Sequence, residues 1–286
     1  TQDYDFQTIL NFPEFYYNLK PELIYRYADP TRFFAGGIDI QLISEVKFAS
    51  DMYLATALTY QLTNSFDRLR YFPDSPYLPH VRTDVVKYLN NRADLYLNNL
   101  QLDKFGKIIN GHYFKFSAGI YEMMFGGYGI EYLWKPFTSN LSVGINLYQV
   151  KQRDFEQRLG FNDYEVSTGH TNFIYFYPDS GLTVDLSIGK YLAGDKGYTF
   201  DISRRFKSGF KMGAYFTRTN ISKIEYGEGS FDKGLYFEIP LNANKGVTKF
   251  TIQPLTRDGG AKLKTNNPLI ESMISSANNE YSFYLD

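Results

Sequence analysis

Cysteine is absent from the 286 residues, so no disulfide framework, thiolate metal site or cysteine nucleophile can be built, and thiol pairing carries no information about compartment. Tryptophan occurs once. Histidine occurs only at His80, His112 and His170, far apart and without a second ligand at metal spacing, and no HExxH pattern is present. No sign of charge is in excess: 30 Lys and Arg stand against 31 Asp and Glu. That balance gives no support for a nucleic-acid footprint, and no polybasic tail is present. Long hydrophobic runs are missing as well. Uncharged stretches reach no further than the 15 residues from Met52 to Phe66, which include three Thr, a Gln and an Asn. A membrane helix needs about 20 predominantly apolar residues, so spanning by helices is excluded. The chain opens on Thr1-Gln-Asp-Tyr-Asp-Phe6, with no signal-peptide pattern, and reads as a mature or excised piece.

What the sequence has in quantity is aromatic side chains, 26 Tyr and 25 Phe. Mean hydropathy nevertheless stays negative, so these rings are interleaved with polar residues. The interleaving has a period of two. Ile38, Ile40, Leu42 and Val46 alternate with Asp39, Gln41, Ile43 and Glu45; Leu141, Val143, Ile145 and Leu147 alternate with Ser142, Gly144, Asn146 and Tyr148. Leu182 to Gly189 and Phe210 to Thr217 repeat the pattern. Alternation of this kind marks strands with one apolar and one polar face.

Strands are expected at about 15–27, 33–48, 52–62, 92–102, 112–121, 127–135, 140–150, 165–177, 182–190, 198–205, 210–218, 232–240 and 247–255. Short turns rich in Pro, Gly, Asn and Ser, such as 136–139, 178–181, 206–209 and 242–246, alternate with longer connections at 151–164, 191–197 and 220–231 and a much longer one at 63–91. Tight turns at one end and long loops at the other are the pattern of an outer-membrane barrel. Such barrels have even strand numbers, so a fourteenth strand is sought in the aromatic tail around Glu280 to Leu285. The expected fold is therefore all-β: an antiparallel transmembrane outer-membrane β-barrel of 12 to 14 strands, with 14 favoured. It would have a lead-in at 1–14, the barrel at 15–256, and a tail at 257–286 that includes the closing strand if there is one.

Periodicity alone cannot say which face points outward, and a soluble β-sandwich or small barrel would alternate too. Mid-strand charges favour a wet lumen: Asp39, Glu45, Lys115, Glu131, Asp185, Asp201 and Lys211. Rings near strand ends suit lipid interfaces, among them Phe33, Phe34, Tyr132, Trp134, Phe173, Tyr175, Tyr177, Tyr236 and Phe237. On the polar face Tyr53, Tyr113, Tyr121, Tyr148, Tyr215 and Tyr236 are expected to face the lumen, where rings could stack on sugars and hydroxyls could exchange hydrogen bonds with them.

Further residues group near strand ends. Arg153, Asp154, Asp195, Glu228, Asp232, Lys233, Arg257 and Asp258 form a candidate rim-loop network, with Arg158, Arg204, Arg205 and Arg218 nearby. Two readings stand: loop ion pairs of little individual worth, or loops that interlock and narrow the pore. Ser167 and Asp163 near His170 would invite a hydrolytic triad, but such a triad is recognised by geometry and not by proximity in sequence. Glu225, Glu228 and Asp232 read as a solvated acidic loop. The glycine-rich run from Gly227 to Gly234 lacks the Lys and Ser or Thr order of a phosphate loop and leads into a strand. No catalytic residue, cofactor or metal is expected.

Seven ordered segments carry a family resemblance: Leu78-Pro-His-Val-Arg-Thr-Asp84, Glu122-Met-Met-Phe-Gly-Gly-Tyr-Gly-Ile-Glu-Tyr132, Gln152-Arg-Asp-Phe155, Thr168-Gly-His170, Gly189-Lys-Tyr-Leu-Ala-Gly-Asp-Lys-Gly197, Tyr226-Gly-Glu-Gly-Ser-Phe-Asp-Lys-Gly234 and Gln253-Pro-Leu-Thr-Arg-Asp-Gly-Gly260. From about Leu78 onward the chain resembles the YjbH family of outer-membrane proteins, associated with exopolysaccharide and group 4 capsule production in Gram-negative bacteria. The resemblance implies a non-enzymatic barrel in the outer membrane that takes part in export or surface assembly of a polysaccharide, in contact with membrane lipid. It would work beside a small lipoprotein and periplasmic proteins of the same system. Family members look longer, with a second barrel-like region upstream, so this chain would be the C-terminal barrel portion. The alternatives are a structural or docking barrel that conducts nothing, and an outer-membrane hydrolase.

Overall fold

A computed structural model describes residues 11–29, 31–70, 77–226, 231–240, 247–252, 258–270 and 272–273. Thirteen strands form one sheet in strict chain order, every neighbouring pair antiparallel: β1 (Glu14–Asp29), β2 (Arg32–Ala49), β3 (Met52–Asn64), β4 (Leu95–Ile109), β5 (His112–Ile120), β6 (Phe125–Trp134), β7 (Leu141–Arg153), β8 (Phe161–Tyr177), β9 (Leu182–Lys190), β10 (Lys196–Arg205), β11 (Lys211–Thr219), β12 (Asp232–Pro240) and β13 (Val247–Ile252). Each expected strand has its counterpart. The fourteenth, sought at 280–285, lies outside the described residues.

Up-and-down order sorts the connections onto two rims. One carries the segments 65–94, 121–124, 154–160, 191–195 and 220–231, and the other the turns at 50–51, 110–111, 135–140, 178–181 and 206–210. We call the first the long-loop rim and the second the turn rim. Arg204 and Arg205, expected near the other rim arginines, end β10 and so lie at the turn rim, opposite Arg153 and Arg158.

The two faces are inverted relative to a water-soluble β-protein. On β2 the apolar Ile38 is 43% exposed while its neighbour Asp39 is fully buried. Leu147, Ile188 and Tyr128 point outward in the same way, against buried Ser187, Asn172 and Gln101. The buried polar face surrounds the C-terminal segment 258–270, which touches β4 at Gln101, β6 at Glu131, β7 at Gly144 and β11 at Thr217. A sheet that meets one segment from the same side on four strands spread from β4 to β11 is curled around it, and the architecture is an antiparallel barrel.

Two local devices aim side chains inward. Register shifts between Ala57 and Leu58 in the β3–β4 pair leave an extra residue on β4, so that Tyr96, Asn99, Gln101 and Asp103 all face the lumen. A second shift between Lys151 and Arg153 buries Gln152 and Arg153 together, where simple alternation would send Arg153 outward. The described parts of the long β3–β4 connection fold in rather than out. It contains a turn of 3-10 helix at Phe66–Arg68 and a seven-residue helix, α1 (Val85–Asn91). An isolated helix that short is unstable in water, and α1 is held by packing: Val86 and Leu89 meet Ala35, Phe66 and Leu69, and Tyr88 joins Val81, Met124 and Val150.

Gly119 on β5 shows how tightly neighbouring strands pass. Its φ is +135°, and a Cβ there would lie 2.0 Å from the Leu100 carbonyl oxygen of β4. Gly119→Ala therefore combines backbone strain with overpacking, and a loss of about 2–4 kcal/mol is expected. Thermal melts followed by circular dichroism in detergent measure it; a melting temperature equal to that of the unaltered chain would contradict this backbone.

Candidate functional site in the barrel lumen

The lumen is the place where chemistry-bearing side chains converge, and it is filled in three tiers. The uppermost lies at the long-loop rim and is organised by Arg153, which is fully buried. Its guanidinium donates to five carbonyl oxygens: Glu122 (3.0 Å) and Met123 (3.3 Å) through Nη1, and Leu97 (2.9 Å), Gln157 (2.7 Å) and Arg158 (3.0 Å) through Nη2. One side chain thus ties β4 and two rim loops together. Tyr88 of α1 donates to the Arg153 carbonyl at 2.5 Å, and Gln157, in the left-handed region at φ 59°, donates back to the Tyr88 carbonyl. Burial holds the Tyr88 phenol above its ordinary pKa, so it stays a donor.

Asp258 joins the tail to this tier. Its carboxylate accepts from the Arg82 and Thr83 amides (2.8 and 3.0 Å) and the Thr83 hydroxyl (2.7 Å). Arg82 in turn donates to Glu122 Oε1 (2.9 Å) and the Lys262 carbonyl (2.6 Å). Asp195 accepts from the Gly260 amide at 2.8 Å, and Asp154 Oδ1 accepts from the Arg158 amide at 3.3 Å. Of the expected rim network, then, Arg153, Asp154, Asp195 and Asp258 share one rim. They are joined through backbone groups and not as mutual ion pairs. Asp232 begins β12 beside Gly260, and Lys233 faces outward with its ammonium 4.5 Å from the Phe231 ring. Glu228 and Arg257 lie outside the described residues.

The second tier joins β2, β3 and β4. Asp39 accepts from the Tyr96 hydroxyl (2.6 Å) and pairs with Arg92 (3.1 Å), whose Nε donates to Gln61 at 2.6 Å.

The third tier crosses the middle of the barrel. Lys115 Nζ, fully buried, donates to Glu131 Oε1 (3.1 Å) and to the carbonyls of Asn266 (3.1 Å) and Asn267 (3.0 Å), with Asp103 at 3.6 Å. Tyr148 donates to the same Glu131 oxygen at 2.5 Å, while Glu131 Oε2 accepts from the Leu269 amide at 2.8 Å. Gln101 clasps Asn266 from both sides, donating to its carbonyl (2.9 Å) and accepting from its amide (3.0 Å). Below this, Pro268 opens a helical turn in which Ser272 N donates to its carbonyl at 3.0 Å. Leu269 and Ile270 pack with Leu133 and Ile174, against Phe105, Tyr113 and Met273. Gly144 makes the space, since a Cβ there would sit 2.4 Å from Ile270 Cδ1.

The expected lumen residues thus separate. Lys115, Glu131, Tyr121 and Tyr148 come together, Tyr121 and Tyr148 edge to face at 5.5 Å. Asp39 belongs to the second tier. Tyr236 donates to Asp201 at 2.8 Å, Asp185 accepts from Ser187 at 3.3 Å, and Lys211 lies 3.6 Å from Glu238. Tyr53 donates to the Ser50 carbonyl at the turn rim; Glu45 and Tyr215 are half-buried on the inner face. Of the rings expected to meet sugars, Tyr121, Tyr148 and Tyr236 are buried among protein groups, while Tyr53, Tyr113 and Tyr215 are half-buried on the inner face. Sequence alternation missed Gln101, Asp103, Arg92 and Tyr88, and of 258–270, which carries no strand periodicity, only Asp258 was singled out.

Between the tail and the wall of β6–β9 remains a polar cavity of about 120 Å³, bordered by Tyr148, Thr168, His170, Asn172, Lys262 and Thr265 among others. It has room for several waters. His170 faces it from the inner side, its ring 4.6 Å from Tyr191, whereas Ser167 faces outward and bonds Gln149. Ser167 and His170 sit on opposite sides of the sheet, so no triad is assembled. Among the described residues, no group of three or more His, Cys, Asp or Glu is placed to hold a metal ion.

Comparison with known proteins adds three findings. The profile of the family described as exopolysaccharide biosynthesis protein YbjH matches residues 2–274. The lipoprotein YjbH of Escherichia coli (strain K12) is 38% identical over 261 residues, which is 87% of this chain and 37% of the relative, so the chain spans little more than a third of that protein's length. The OmpF porin of Salmonella typhi, solved in complex with daunomycin, superposes with a TM-score of 0.41 at 9% identity, over 88% of this chain and 93% of the porin.

Two outcomes follow from the tiers. Glu131→Ala leaves the buried Lys115 ammonium with only the more distant Asp103 as carboxylate partner and frees the Leu269 amide, and a loss of about 3–5 kcal/mol is expected in urea unfolding in detergent; no change in midpoint would dissociate the tail from this tier. At the rim, burial raises the Asp195 carboxyl above its ordinary 3.8. A raised folded pKa gives stability that is present at low pH and lost as pH rises through the folded value. Asp195→Asn is expected to flatten that decline in melting temperature above about pH 4, and an identical slope in the variant would remove Asp195 as its source.

Proposed function

The chain belongs to the YjbH family of exopolysaccharide biosynthesis proteins, and from that premise we propose that it acts in the outer membrane of a Gram-negative bacterium as a non-enzymatic barrel whose lumen is closed by its own C-terminal segment. In this reading it takes part in export or surface assembly of an exopolysaccharide as an anchoring and docking body rather than as an open conduit. The observation that carries it is the crossing of the lumen by 258–270, clasped by Gln101, Lys115 and Glu131. Among the described residues this segment takes up the middle of the lumen, and the polar cavity beside it is about 120 Å³.

Placement in a membrane is supported by the inverted faces. Outward Leu19, Leu23, Ile38, Leu147 and Ile188 would be costly in water and are at home in hydrocarbon, where a barrel satisfies its backbone between strands. Membrane lipid is thus one partner. A small lipoprotein, periplasmic proteins of the same export system and a further barrel region of a longer polypeptide are the others we propose. Opposite orientations of Ser167 and His170 weigh against a hydrolase.

In planar bilayers the purified chain is expected to show no steady conductance, and the variant Gln101→Ala/Lys115→Ala, which loosens Asn266, to show openings. Steady conductance of the unaltered chain would overturn the closed lumen. The chain is also expected to require detergent and to migrate faster before boiling than after; solubility without detergent would remove it from the membrane.

A further inference from the structure

The outer wall carries exposed rings near both rims, Tyr175 and Tyr177 at the turn rim and Tyr25, Tyr27, Phe34 and Phe161 at the long-loop rim. Near the long-loop rim, successive strands present cations: Lys190 on β9, Lys196 on β10, Arg218 on β11 and Lys233 on β12. Register keeps them in one band. Lys196 stands directly opposite Lys190, Arg218 opposite Tyr198, and Lys233 opposite Phe216. Like charges directly opposite each other destabilise a strand pair, so the Lys190 and Lys196 pairing calls for a counter-anion. Glu165 and Asp163 of β8 share the band, but Glu165 faces Lys151 in register and accepts from Gln149 at 2.5 Å.

Just inside the hydrocarbon from this band, a groove of about 670 Å³ is sunk into the outer wall from β5 to β9. Phe116, Tyr128, Ile130 and Leu147 form its apolar sides, and its upper end reaches Ser167 and Lys190. Gly169 keeps the floor low, because a Cβ there would meet Leu147 Cδ2 at 2.8 Å. An apolar trough with a cationic, hydroxyl-bearing end has the chemistry of an acyl chain joined to a phosphate. Four cations along three interstrand spacings extend over about 15 Å, wider than one phosphodiester needs. Long loops mark the extracellular side, which puts the band in the outer leaflet.

We propose that this face binds a multiply acylated glycolipid carrying two phosphates, of the lipid A type, with an acyl chain in the groove under Lys190 and the phosphates along Lys190, Lys196 and Arg218. The site rests on the outer-membrane placement proposed above.

The experiment is native mass spectrometry of the whole chain in micelles doped with bis-phosphorylated lipid A, dephosphorylated lipid A or phosphatidylglycerol. Preferential retention of the bis-phosphorylated lipid is expected, falling about tenfold or more in Lys190→Ala/Lys196→Ala and kept in Lys190→Arg/Lys196→Arg. Equal retention of the dephosphorylated lipid would overturn the phosphate contacts, equal retention of phosphatidylglycerol would overturn the glycolipid, and an unchanged alanine variant would overturn the site. Heat-modifiable migration of each variant, checked in parallel, separates these failures from failure of the barrel itself.

Discussion

An ammonium taken out of water must be met by oxygen atoms on every side, and Lys115 imposes that demand at the centre of this barrel. The wall supplies Glu131 and, more distantly, Asp103; the two carbonyls of Asn266 and Asn267 come from the C-terminal segment. Neither set would suffice alone, because a buried charge left partly unmet costs several kcal/mol. The wall therefore needs the tail as much as the tail needs the wall. Glu131 extends the same logic, receiving Tyr148 on one oxygen and the Leu269 amide on the other.

From that contact the remaining arrangement follows. Fixing 266–269 places Ile270 in the space left by Gly144 and holds 258–263 beneath the rim, where Asp258 organises the turn before α1. α1 in turn rests its Tyr88 hydroxyl on the backbone of Arg153, whose guanidinium gathers the carbonyls of two loops. The lumen thus holds both polar and apolar filling, and most of the hydrogen-bonding groups named in the tiers meet protein, with Arg153 Nε, Gln157 Oε1 and Asp195 Oδ1 as exceptions at the rim. Such an interior resembles a protein core with polar linings more than an aqueous channel, and the proposed docking role rests on that likeness.

The outside obeys a different solvent. Exposed leucines, isoleucines and aromatic rings would be a liability in water, and the absence of a helix long and apolar enough to cross a membrane among the described residues says nothing against crossing by strands.

Period-two alternation in segments such as Leu182 to Gly189 was enough to locate all thirteen strands, because strand geometry is local and each side chain's face is fixed by its neighbour. Charges such as Asp39, Lys115 and Glu131 were legible as belonging to the polar face for the same reason. Direction and partnership were not legible. Which face meets lipid depends on closure of the whole sheet; whether Arg153 points inward depends on a register shift that alternation would deny. The helix α1 has two β-branched and two Asn residues among seven, and only packing stabilises it. The tail 258–270 has no periodicity, since its hydrogen bonds go to other strands' side chains instead of a ladder. Local pattern determined the wall, and only long-range contacts, across sequence separations such as the 165 residues between Gln101 and Asn266, decided that the wall encloses the segment 258–270 of its own chain.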